Sequence, residues 1–208
     1  MKLLAFDTCL DKTYIVLRED DKVLYSKVIK SDEKNYHSAY LISMIRESLK
    51  ENNFSPSDLD AVAINVGPGS FTGIRACTTV ARVIAQQLDI KAVGVSSLEI
   101  LSKAKNDEYV VALDARKEKA YYYDKQLYGA VDILEVDEKV KGRNIITDDR
   151  LFERFNNIGN DVISYQQANF DLGVILSEIA IGKLQTEDCM WQTLLPLYIQ
   201  PPPVTLKK

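Results

Sequence analysis

Histidine is almost absent: His37 is the single one in 208 residues. That excludes HExxH and HxxxH metal motifs, any His-rich metal centre and an obvious Ser/His/Asp set. Cysteine is scarce and scattered. Cys9, Cys77 and Cys189 are odd in number and form no CxxC pair, so neither a zinc knuckle nor a disulfide framework is indicated, and a reducing cytoplasm fits. No metal and no cofactor is expected. No apolar run approaches the ~18 residues of a membrane span. The apolar start, Leu3 to Phe6, is too short for a signal peptide and meets Asp7 at once. A cytoplasmic chain without a membrane partner is the expectation. Positive charge is not in excess either. At a net charge of −4 the chain is not expected to grip RNA phosphates broadly by itself.

What is there is an ordinary globular balance, 46% apolar and 27% charged, in a length that suits one domain or two small lobes. The organising stretch is Gly67-Pro68-Gly69-Ser70-Phe71-Thr72-Gly73-Ile74-Arg75. An apolar segment from Leu59 to Val66 reads as a buried strand before it, and Thr72 to Leu88 as a helix after it. A glycine-rich turn into a helix offers backbone N–H groups to an anion. The spacing matches no phosphate loop, however. Ile74-Arg75 stand where a P-loop has Lys and Ser/Thr, and Ser70-Phe71-Thr72 put three residues where the dinucleotide fingerprint has two. A tight structural turn is the better reading.

The rest of the chain repeats itself. Leu3 to Thr8, Thr13 to Arg18 and Val23 to Ile29 read as a three-stranded meander. A helix over Tyr36–Glu51 follows, then the strand before the glycine stretch, the long helix, a strand at Lys91 to Val95, and a helix start capped by Ser96. At an offset of 107 residues, Val110-Val111-Ala112-Leu113-Asp114-Ala115 matches Leu3-Leu4-Ala5-Phe6-Asp7-Thr8. The same offset puts strands at Ala120 to Tyr123 and at Ala130 to Val136. Helices over Asp148–Asn157 and Asn169–Leu184 flank a strand at Asp161 to Tyr165. Fixed-offset similarity argues for two copies of one unit, with lobes at 1–106 and 107–208. Two α/β lobes of βββαβα plan, the second reduced, resemble the actin/hexokinase/sugar-kinase (ASKHA) fold. In active members the first strands end in acidic residues that hold Mg²⁺ beside the ATP phosphates. Asp7, Thr8 and Asp114 are the corresponding candidates here. Neither hairpin after Asp7 or Asp114 contains a glycine, so a degenerate nucleotide cleft is expected.

The Gly67 to Arg75 stretch resembles the signature of the TsaB/YeaZ family. His37-Ser38, Ser96-Ser97-Leu98-Glu99, Asp114-Ala115-Arg116 and Pro196-Leu197-Tyr198 stand in the order that family shows. Ile199-Gln200 depart from its usual Leu-Arg ending. The resemblance implies a non-catalytic scaffold or activator in the making of threonylcarbamoyladenosine in tRNA. Its partners would be the catalytic subunit TsaD and the ATPase TsaE. TsaD transfers threonylcarbamoyl to the adenosine beside the anticodon, so tRNA would be met only through the complex. It needs an HxxxH metal motif that this chain lacks.

The resemblance also implies pairing, with TsaD or between copies, through the helices at Tyr36–Glu51 and Thr72–Leu88. The candidate interface residues are Tyr36, His37, Tyr40, Met44, Gly69, Phe71, Thr72, Arg75, Ala76, Val80, Ala81 and Ile84. The long helix carries apolar residues on more than one face, wider than packing on one sheet requires, with Ala76, Ala81 and Ala85 small enough to admit a second helix. The alternative is a minimal ATP-dependent phosphotransferase using Asp7 and Asp114 around Mg²⁺. A peptidase is weaker still, with one histidine available.

Overall fold

The computed structural model describes residues 1–30, 40–105 and 108–200. It contains two five-stranded sheets of the same plan. The first takes β1 (Lys2–Asp7), β2 (Lys12–Glu19), β3 (Lys22–Lys30), β4 (Ala61–Asn65) and β5 (Lys91–Val95) in the order β3-β2-β1-β4-β5. The second takes β6 (Tyr109–Arg116), β7 (Lys119–Tyr123), β8 (Leu127–Asp132), β9 (Asn144–Thr147) and β10 (Asp161–Ser164) in the order β10-β9-β6-β7-β8. Each sheet is an antiparallel meander extended by two parallel strands. This is the duplicated ASKHA-like arrangement that the sequence repeat implies.

Helices α1 (Leu41–Glu51) and α2 (Phe71–Leu88) join β3 to β4 and β4 to β5, and α3 (Ser97–Ser102) follows β5. In the second copy, α4 (Ile133–Val140), α5 (Asp149–Asn156) and α6 (Leu172–Thr186) hold the same places. The part of the first predicted helix before Tyr40, with Tyr36 and His37, lies outside the described residues. Two expectations for the second copy are corrected. The third strand ends at Asp132, and Ile133 to Val136 begin α4. The strand at Asn144–Thr147 was not foreseen. Hence Asp149–Asn156 is the counterpart of the long helix α2, not of α1. The repeat also slips by one residue in its hairpin: Asp7 pairs with Tyr14, but Asp114 pairs with Ala120, across a bulge before Arg116.

The two faces of the first sheet are covered differently. On one face Leu4, Phe6, Ile15, Leu17, Val62 and Ile64 meet Leu41, Ile45 and Leu49 of α1 and Ile74, Cys77, Ala81 and Ala85 of α2. On the other, Leu3, Ala5, Tyr14 and Val16 meet Leu172, Leu176, Ala180 and Leu184 of α6, and the same cluster takes in Val111, Leu113 and Ile146 of the second sheet. The α6 helix thus lies in the core shared by both sheets. Gly173 permits this approach: a Cβ there would press on Tyr14 and Val16. The chain then returns to the first sheet. The Ala92 N–H donates to the Cys189 carbonyl at 2.9 Å, and the Leu197 N–H to the Val66 carbonyl at 2.8 Å.

Candidate functional site: a cleft between hairpins and an exposed helix face

The glycine signature is a packing device. Gly69 and Gly73 sit so close to the β1–β2 turn that a Cβ on either would collide with the carbonyls of Cys9 and Thr8 respectively. The Ser70 N–H donates to the Cys9 carbonyl at 2.7 Å. The Ser70 hydroxyl accepts from the Gly73 N–H at 3.3 Å. The Thr8 hydroxyl donates to the Gly73 carbonyl at 3.0 Å. Gly67 has φ +101°, in the left-handed region that favours glycine. The N-terminus of α2 is therefore packed against the chain's own turn, with the Gly73 N–H taken by the Ser70 hydroxyl.

Asp7 is a strut within this arrangement. It is 1% exposed. Its carboxylate accepts from the Cys9 N–H at 2.6 Å and from the Asn65 amide at 2.9 Å. The Asn65 side-chain oxygen accepts in turn from the Gly67 N–H at 2.8 Å and the Ser97 hydroxyl at 2.9 Å. One carboxylate thus ties the end of β1 to the glycine turn and, through Asn65, to α3. Burial pushes its pKa up to about 6, against the lowering effect of its hydrogen bonds.

Between the two β-hairpins lies a cleft of about 870 Å³. Cys9, Leu10 and Asp11 line it from the first hairpin, Gly69 to Phe71 from the signature, and Asp114 to Lys117 from the second hairpin. Asp148 to Arg150, Tyr165 and the strap Leu197 to Gln200 complete it. Asp7 and Thr8 do not line the cleft, which corrects their candidacy as ligands of a phosphate-bound cation. Asp114 does line it, but its carboxylate is held by Arg150 Nη1 at 2.9 Å and accepts from the Arg116 N–H at 2.8 Å. The second helix N-terminus facing the cleft is closed as well. Asp148 caps α5 by accepting from the Arg150 and Leu151 N–H groups, and its other oxygen accepts from the Asp114 N–H at 2.6 Å. A carboxylate stands where a nucleotide phosphate would need donors. Burial raises the Asp148 pKa above the ordinary carboxylate range.

The other assembly of candidate residues is the outward stripe of α2. Phe71, Arg75, Thr79 and Val83 recur every four residues and are all exposed. The Phe71 ring, 45% exposed, stacks on Tyr198 with centroids 5.4 Å apart. The Arg75 guanidinium lies 5.4 Å from the centre of the same ring. Among the described residues Arg75 forms no ion pair. Thr72 and Gly69 are exposed beside it, and Ala76, Val80 and Ile84 are half-buried along the flanks. On α1, Tyr40 and Ile42 are exposed.

Two candidate interface residues face inward instead. Ala81 is 0% exposed and Met44 is 8% exposed, both in the core beneath the helices. The α2 helix has one buried stripe, Ile74, Cys77, Thr78, Ala81 and Ala85. Its small residues Ala81 and Ala85 make room for the sheet, while Ala76 lies half-buried on the flank. Ile42, Val83 and Tyr198 are exposed as well, outside the candidate interface residues. Val83 lies three steps of four residues beyond Phe71, on the same side of the helix.

Comparison with known proteins follows the same line. The family model described as TsaD, tRNA N6-adenosine threonylcarbamoyltransferase, matches residues 24–164. The chain is 36% identical over 102 residues to the Bacillus subtilis "tRNA threonylcarbamoyladenosine biosynthesis protein TsaB", covering 49% of this chain and 44% of that one. It is 32% identical over 125 residues to the protein of that name from Buchnera aphidicola subsp. Schizaphis graminum, covering 58% of each. The matched stretch spans about half the length of these relatives. Among solved structures, "YeaZ from Pseudomonas aeruginosa" superposes with a TM-score of 0.72 at 23% identity, over 95% of this chain and 99% of that one. That likeness bears on the fold. With the model match across most of the chain, the TsaB relatives and the signature, the chain belongs to the TsaB/YeaZ family, within the wider family of the TsaD model.

Proposed function

We propose that this chain is a non-catalytic subunit of the machinery that makes threonylcarbamoyladenosine in tRNA. In this reading it docks a TsaD-type transferase through the outward stripe of α2 and the exposed start of α1. A TsaE-type ATPase joins the pair, and tRNA is met only through the complex. The same face serves a homodimer when the partner is absent. The two lobes, 1–106 and 107–208, are copies of one ancestral unit, and the second no longer serves a nucleotide.

The observation that carries the reading is the Phe71–Tyr198–Arg75 stack on a helix face that also exposes Val83. Aromatic and arginine side chains held in place before binding are what hot spots are made of, because little side-chain entropy is lost on docking. The capped N-terminus of α5 supports the non-catalytic part: the chain's own Asp148 accepts from the Arg150 and Leu151 N–H groups. The phosphotransferase reading finds no support, since Asp7 is buried away from the cleft.

The test is gel filtration with light scattering, using this chain alone and mixed with the TsaD-type subunit of its host, with and without the ATPase. A one-to-one complex is expected. Val83→Glu should abolish it and leave the thermal melt of the free chain unchanged. No complex under any of these conditions, or a complex indifferent to both Val83→Glu and Phe71→Glu, overturns the reading.

A further inference from the structure

We propose that Asp7, Cys9 and Cys77 form a binding site for a thiophilic divalent cation of the zinc class, placed between the β1–β2 turn and helix α2. One carboxylate oxygen and two sulfurs from these residues all lie within 4.8 Å of one another, and all three residues are buried. The chain brings Cys77 to Asp7 and Cys9 from 68 residues beyond Cys9. Two thiols and a carboxylate select zinc or its congeners over magnesium or calcium, which take oxygen ligands alone. With Zn–S bonds of about 2.3 Å, the donors need to close by roughly 1 Å to share one ion.

The surroundings are those of a supported site. The Asn65 amide fixes the Asp7 carboxylate, and Asn65 is itself fixed by Gly67 and Ser97. Outer partners of this kind orient metal-binding carboxylates. The Thr8 hydroxyl lies 3.1 Å from Cys77 Sγ and offers a neutral neighbour to the fourth position. Cys9 also lines the cleft, which provides the route of entry. In the metal-free chain the Cys9 thiol donates to the Asn65 carbonyl at 3.1 Å. Binding a dication breaks the two S–H bonds and forms two metal–sulfur bonds and one metal–oxygen bond. Two protons leave to solvent, nothing is oxidised or reduced, and affinity rises with pH. The ion would clamp α2 to the turn beneath it.

The experiment uses the untagged full chain, reduced and stripped with a chelator, then titrated with Co²⁺. The expected result is a near-ultraviolet thiolate-to-cobalt charge-transfer band that saturates at one ion per chain. Added Zn²⁺ should abolish that band. Cys77→Ala and Cys9→Ala should lose it, and Cys189→Ser should keep it. Because the first two sites are in the core, the wild-type chain supplies an independent readout. Zn²⁺ should slow alkylation of Cys9 and Cys77, read by peptide mass spectrometry, and leave Cys189 unaffected. Absence of the band in excess cobalt, its survival in Cys77→Ala, or equal protection of all three cysteines overturns the proposal.

Discussion

At the scale of single residues, glycine has opposite meanings in two helices. Gly73 in the first turn of α2 touches the Thr8 carbonyl, with no room for a Cβ. Gly182 in α6 has open space around it. Replacing a helical glycine by alanine gains about 1 kcal/mol in propensity, whereas overpacking against backbone costs about 1–3 kcal/mol. Gly182→Ala should therefore stabilise the chain by up to about 1 kcal/mol, and Gly73→Ala should destabilise it by up to about 2 kcal/mol net. Urea unfolding of the two variants checks both signs. Asp148 gives a pH-dependent prediction. Burial lifts its native pKa above the unfolded value near 4. Between those values the native state holds more protons than the unfolded one. The stability Asp148 contributes is thus full below about pH 4 and is lost as pH rises through the native pKa. Asp148→Asn keeps a capping side chain but cannot titrate. The stability of the wild type relative to this variant should fall between pH 4 and pH 7, by paired urea titrations; a flat or rising difference would contradict the assignment. Spacing alone identified the glycine stretch as a structural turn. It could not reveal that Asp7 is a buried strut, because a carboxylate ending a strand looks the same whether it faces a cleft or an asparagine. Nor could it join Cys9 to Cys77, which only the seating of α2 on the turn brings together.

At the scale of elements, the buried and exposed stripes of α2 predict opposite outcomes two residues apart. Ala81→Glu places a charge at a position with no exposure, within the core cluster under α2, and an unpaired buried charge is among the few changes that cost several kcal/mol. It should prevent folding rather than report on docking, and its circular dichroism melt should show no cooperative transition. Val83→Glu, on the open side, should melt like the wild type within about 0.5 kcal/mol. The first copy was readable because its strands alternate and its helices are long. The second misled where the repeat was followed too far. Ile133, Val136 and Val140 have helical spacing, yet the fixed offset assigned that stretch to a strand. Asn144–Thr147 is a four-residue strand, too short for alternation to register. The bulge at Asp114–Arg116 shifts the hairpin register by one residue, and β8 is 6 residues long against 9 for β3, so the fixed offset overruns its end.

At the scale of the whole molecule, the repeat in the sequence and the core in space divide the chain differently. A cut between residues 106 and 107 separates two copies of one unit, but α6 from the second copy fills the core shared with the first. Leu172, Leu176, Ala180 and Leu184 pack against Leu3, Ala5, Tyr14 and Val16, and Leu194 reaches the opposite face of the same sheet. Fragment 1–106 would leave that side of its sheet in water, a far larger apolar exposure than a stable monomer carries. The full chain should therefore unfold in one cooperative calorimetric transition, with the van't Hoff enthalpy equal to the calorimetric one. Fragment 1–106 alone should bind a hydrophobic dye and show no such transition, and co-expression with 107–208 should restore a folded, non-covalent pair. Two resolved transitions in the full chain, or a well-folded 1–106, would mean that α6 leans on the first sheet without sharing its core. In the cooperative case, a disturbance at the cleft strap Leu197–Gln200 should be felt at the proposed docking face. Leu197 is bonded to Val66 at the base of the signature, and Tyr198 stacks on Phe71 at the head of the outward stripe. Leu194→Ala, which removes buried volume under that strap, should then cost about 2–5 kcal/mol of stability. It should also weaken capture of the TsaD-type subunit, although Leu194 is itself buried away from any partner.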